Sequence, residues 1–162
     1  MVVSFELAEK LKMLGILQNS LFSFFKYFDG TVIIDYSHFK DNVYNIQCSA
    51  YTAQELFEYL PSPIEINTNT YVVNDYKSYR NILKSEVDSY PYAALDIVFD
   101  GGYIIRYSYN GQVIAFNKTT DNLYVNLISI GETLANSLAQ MIIEIYSNKL
   151  TLIHFNIQMF KN

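Results

Sequence analysis

The sequence predicts an α+β domain built on a mostly antiparallel sheet with helices packed on one face. Three observations predict it. Asn110-Gly111 stands between alternating apolar runs, where a two-residue hairpin turn needs positive φ at both central positions. Asp100-Gly101-Gly102 marks another hairpin just before it, and the two registers put the same residues on the same face. Thr52-x-x-Glu55 and Ser129-x-x-Glu132 have the spacing of capping boxes, each opening a helix. The predicted order is α-β-β-α-β-α-β-β-β-β-α-β, in a single domain over residues 1–162.

The elements follow in order. Ser4 caps a helix expected to run to about Phe28. Leu7, Leu11, Leu14, Leu21, Phe25 and Phe28 recur at three- and four-residue steps, Gly15 divides the helix and Asp29-Gly30 closes it. Thr31–Tyr36 and Val43–Ala50 read as strands, the second with Tyr44, Ile46, Cys48 and Ala50 on one face. Thr52 and Glu55 open a short helix, Ala53–Leu60, which Pro61 and Pro63 end. Ile64–Val73 is rich in Thr, Tyr and Val and reads as a strand; Asn74 or Asp75 then caps a helix to about Val87.

Tyr92–Asn117 is the best-specified segment. The Asp100 turn pairs Phe99 with Tyr103, Ile97 with Ile105 and Leu95 with Tyr107. The Asn110 turn pairs Tyr107 with Ile114 and Ile105 with Phe116. On the opposite face Asp96 falls directly across from Arg106, a favourable cross-strand charge pair. Leu123–Ile130 adds a strand, Ser129 and Glu132 open a helix to about Tyr146, and Leu150–Phe160 closes the chain as a strand.

Composition bounds the class of function. The 162-residue chain is 51% hydrophobic, 16% aromatic and only 17% charged, enough apolar surface for a core without metal or disulfide staples. Its net charge of −5 disfavours nucleic-acid binding, because an acidic surface repels phosphate. The same charge attracts basic partners and speeds their encounter. The lone Cys48 allows no internal disulfide and no cysteine-based zinc cage, and reads as a small core hydrophobe in a reducing compartment. MVVSFELAEK is not a secretory leader, and Met13–Phe28 is too polar and too short to span a bilayer. A cytoplasmic location with no membrane contact is the expectation.

No chemical motif stands out. Both G-x-G-x-x-G and the Walker A pattern are absent, and Gly101-Gly102 lies between strands rather than before a helix. His38 and His154 have no spacing that joins them in a metal or base–nucleophile site. No catalytic residue, cofactor or metal is assigned. The unusual feature is 15 Tyr beside 11 Phe with no Trp; tyrosine joins an apolar body to a polar tip and is enriched at interfaces.

The leading expectation is a small acidic protein-binding module that neutralises a basic partner, for example an immunity-type protein against a nuclease toxin. Its contact surface is expected on the polar sheet face at Asp96, Arg106 and Ser108, flanked by Asp88, Asp100 and Asp121. An enzyme or small-ligand binder with a tyrosine-lined pocket, using Arg106, Tyr107, His154 and Asp96, is the second expectation. A structural or phage assembly protein that homodimerises through the aromatic end of its N-terminal helix is the third.

Overall fold

The computed structural model describes residues 1–37, 45–60, 62, 64–65, 71–74, 92–109, 112–118 and 123–147. The predicted helix 75–87, the predicted final strand and the Asn110-Gly111 turn itself lie outside the described residues. The described elements are α1 (Phe5–Met13), β1 (Phe22–Lys26), β2 (Val32–Tyr36), β3 (Asn45–Ser49), α2 (Ala53–Phe57), β4 (Ile64–Glu65), β5 (Tyr71–Asn74), β6 (Tyr92–Phe99), β7 (Tyr103–Tyr109), β8 (Gln112–Lys118), β9 (Leu123–Asn126), β10 (Ile128–Gly131) and α3 (Leu134–Ser147). The fold is α+β with antiparallel pairing, as expected.

The strands form two sheets, one ordered β2-β1-β3 and a seven-stranded one ordered β4-β6-β7-β8-β5, with β10 on β7 and β9 on β8. The smaller sheet corrects the first prediction. Ser4 does cap α1, accepting from the Leu7 N–H at 3.5 Å, but the helix stops at Met13, with Gly15 just beyond it at φ 82°. Phe22–Lys26, expected as the aromatic end of that helix, is instead the central strand of the smaller sheet, with Phe24 and Phe25 buried. Asp29-Gly30 is the hairpin turn from β1 to β2. Gly30 sits at φ 88°, Tyr27 N–H donates to Thr31 C=O at 2.9 Å, and Thr31 N–H to Asp29 Oδ1 at 2.8 Å.

In the larger sheet the β6–β7 register is the expected one, including Asp96 opposite Arg106 and Ile97 opposite Ile105. Gly101 at φ 68° turns the hairpin. The β7–β8 ladder keeps its expected register but extends only over Ser108↔Val113 and Tyr109↔Gln112. The predicted pairs Tyr107–Ile114 and Ile105–Phe116 do not form, because β9 and β10 wedge the two strands apart. Phe116 pairs with Val125 of β9 and Tyr71 of β5, and Ile105 with Ser129 of β10. The buried Leu127 marks the point where the chain crosses from β8 to β7; its carbonyl accepts the Tyr107 N–H at 3.0 Å.

The second predicted capping box is also displaced. Ser129 lies in β10, where its hydroxyl donates to Ser137 C=O at 2.7 Å. The residue that caps α3 is Thr133, whose Oγ1 accepts the Asn136 N–H at 3.1 Å. Contacts run in series from the larger sheet (β7 and β10) to α3, from α3 to α1 and α2, and from α1 to β3. One core results. It joins Phe24 and Cys48 of the smaller sheet, Leu11 and Leu56 of the short helices, Leu138, Met141, Ile142 and Ile145 of α3, and Ile105 and Tyr107 of the larger sheet.

Candidate functional site

The polar face of the larger sheet is the face turned away from α3. Strand alternation puts Asp96, Val98, Ile104, Arg106, Ser108, Ile128 and Ile130 on it, since each is cross-strand partner or second neighbour of the next. Asp96, Arg106 and Ser108 come together as predicted. The Ser108 hydroxyl donates to Asp96 Oδ2, and Arg106 Nε lies 3.6 Å from the same oxygen. That distance is an ion pair but too long for a hydrogen bond. Arg106 Nε is buried and has no hydrogen-bond partner among the described residues. Asp100 is exposed in the hairpin turn beside it, whereas Asp88 and Asp121 lie outside the described residues, as do His38 and His154.

Exposed apolar side chains surround this end of the sheet. Ile130 is 66% exposed on the polar face; Phe99 is 70% and Ile97 47% exposed on the other. The sequence placed Ile97 and Phe99 on the inward face, and their register is indeed that of Ile105. They stay uncovered because α3 packs on β7 and β10, and β6 runs out beyond it. Phe99 rests edge-on against Tyr103, with ring centroids 5.2 Å apart. The signal that would have found this patch is the position of α3: a helix that begins straight after β10 must lie over β10 and its neighbour β7.

Polar groups elsewhere serve the fold. Glu55 Oε2 accepts from Thr52 N–H at 2.7 Å, Thr52 Oγ1 at 2.8 Å and Ser20 Oγ at 3.1 Å, while Oε1 accepts Leu21 N–H at 3.0 Å. Burial alone would push its carboxyl up, but these donors outweigh burial and hold it below the usual range. The fully buried Tyr51 donates its hydroxyl to Leu17 C=O and accepts from Gln18 Nε2 at 3.1 Å. Desolvation drives its pKa strongly upward, so it remains a neutral structural donor. Cys48 is buried and reduced; burial, then the Glu9 carboxylate, raise its thiol to about 11 against the opposing pull of Lys12. Burial and the raised pKa both favour the neutral thiol over the nucleophilic thiolate. Among the described residues no cluster of His, Cys, Asp and Glu is arranged to hold a metal ion. Nor is any described helix long and apolar enough to cross a membrane.

No protein-family model, curated protein or solved structure matches the chain.

Proposed function

We propose that this chain is an acidic protein-binding module whose partner is a basic protein, in the manner of an immunity-type protein that masks a nuclease toxin in the cytoplasm. The observation that carries this reading is the Asp100 end of the larger sheet. There Ile130 is exposed on the face that carries the Asp96–Arg106–Ser108 cluster, and Ile97 and Phe99 are exposed on the opposite face. Apolar anchors around a few oriented polar groups are the anatomy of a binding patch. The net charge of −5 supplies long-range attraction for a basic partner, and a nuclease is basic because its substrate is a polyanion.

The test is affinity capture from cells of the native organism with the wild-type chain and with a Phe99→Asp, Ile130→Asp double variant. The expected result is a stoichiometric partner of pI above about 9 that the variant fails to retain. Inhibition of that partner's nuclease activity by the wild-type chain would establish the immunity role. Recovery of no protein partner, or of one held equally by the variant, overturns the reading.

A further inference from the structure

We infer that the outer edge of β6, from Leu95 to Phe99, is completed by an extended segment of the basic partner, added as a strand with apolar residues over Ile97 and Phe99 and Lys or Arg on the Asp96 and Asp100 side. This inference rests on the protein-binding reading and specifies its mode.

The direction of the backbone groups supports it. Along a strand, successive N–H and C=O groups point to opposite neighbours. Leu95 N–H donates to Ser62 Oγ at 3.2 Å, on the side away from β7, so Ile97 and Phe99 also direct their backbone groups outward. Asp96 and Val98 direct theirs into the β7 ladder. On that outer side β4 reaches only Tyr92 and Ala93. Ser62 takes up one further donor, and no described strand pairs with β6 beyond it. An edge of this kind is a template for an added strand: main-chain hydrogen bonds give affinity and alternate side chains give selectivity.

The side chains specify what is added. Ile97 and Phe99 offer an apolar row on one face. Asp96, paired with Arg106, lies on the other face; the exposed Asp100 follows in the turn, and the exposed Glu132 follows β10 at the same end, where Gly131 is the cross-strand partner of Tyr103 and Tyr103 that of Phe99. A segment alternating apolar and basic residues matches both rows. A second copy matches them less well. It brings another net charge of −5 to the edge.

The probe is a synthetic Lys-Val-Lys-Val-Lys-Val-Lys peptide, titrated into the intact chain and followed by amide hydrogen exchange in NMR. Exchange at Ile97 and Phe99 is expected to slow by roughly tenfold at saturation, while Asp96 and Val98, already in the ladder, are unchanged. A Glu-Val alternating peptide is expected to leave all four unchanged. Ile97→Pro deletes an outward donor while sparing the β7 ladder, and abolishes the effect. Phe99→Lys alters only an exposed side chain and weakens binding of the lysine peptide, so the test survives if the proline variant does not fold. Peptide binding that shifts Arg106 and Ser108 without protecting Ile97 and Phe99 overturns the edge and leaves the protein-binding reading standing. Protection of Ile97 and Phe99 without peptide, with light scattering showing a dimer, overturns it in favour of a second copy. Failure of the affinity capture above overturns the reading itself.

Discussion

Glu55 does more than close a capping box. Its reciprocal bonds with Thr52 were legible in the sequence because both partners lie within one turn. Its bonds to Ser20 and Leu21 were not, since those residues come 35 and 34 positions earlier and reach it only through the fold. The carboxylate thereby ties the start of α2 to the entry of β1. Its folded pKa lies below its unfolded one, so protonation favours the unfolded chain. The stabilisation is present above the unfolded pKa and is lost as pH falls through the folded pKa. Glu55→Gln is expected to cost about 1 kcal/mol at pH 7, the value of a lost cap. Urea titrations at descending pH should show wild type and variant converging below about pH 4, where the ordinary carboxylate titrates. A gap that persists undiminished in acid would place the effect in packing rather than in the charge. Asp96 and Arg106 were legible for a different reason: two turns fixed a register, and the register fixed the pair.

At the scale of elements, two turn signals were present in the sequence but assigned to the wrong element. Asp29-Gly30 suits a helix C-terminus and a hairpin equally; Phe22–Lys26 is too short an apolar run for periodicity to decide between them. Ser129-x-x-Glu132 has the spacing of a capping box, yet the strand pairing of β10 with β7 claims Ser129 and moves the helix start to Leu134. What holds α3 to β10 is a close approach that only glycine permits. A Cβ on Gly131 would lie 2.7 Å from Ser137 Oγ and 3.0 Å from the Ser137 backbone nitrogen. Ser137 has little freedom to yield, because its hydroxyl donates to Tyr103 C=O at 2.7 Å and its carbonyl accepts from Ser129. Gly131→Ala is therefore expected to destabilise the chain by about 1–3 kcal/mol, the range for overpacking. Gly15→Ala is the comparison: open space surrounds that site, so only the φ of 82° opposes the substitution, at about 1 kcal/mol. Urea denaturation of both variants checks the ranking; an equal or smaller loss at Gly131 would mean that α3 shifts freely on the sheet.

For the molecule as a whole, the sequence made the antiparallel α+β character plain but not the division into two sheets. That division depends on non-local choices: β1 pairing on both sides, and the chain crossing at Leu127 from β8 to β7. No local pattern encodes such crossings. The consequence for stability is that, among the described residues, the two sheets share one core. Phe24 and Cys48 of the smaller sheet share one buried cluster with Ile105 and Tyr107 of the larger, and α3 with α1 forms the bridge between them. A truncation in α3 should consequently loosen both sheets together. Leu138 is fully buried in that bridge, and Leu138→Ala removes its contacts and leaves a cavity, at about 2–5 kcal/mol. That is a large share of the roughly 5–15 kcal/mol by which a domain of this size is stable. Two probes report on the two sheets separately. Labelling of the buried Cys48 thiol by a disulfide reagent follows opening of the smaller sheet, and amide exchange at Ile105 follows the larger. Under conditions where opening equilibrates faster than labelling or exchange, Leu138→Ala is expected to raise both rates by the same factor, set by the loss in global stability. Faster exchange at Ile105 with unchanged labelling of Cys48 would show that the sheets open independently, and that the shared cluster does not bind them into one cooperative unit.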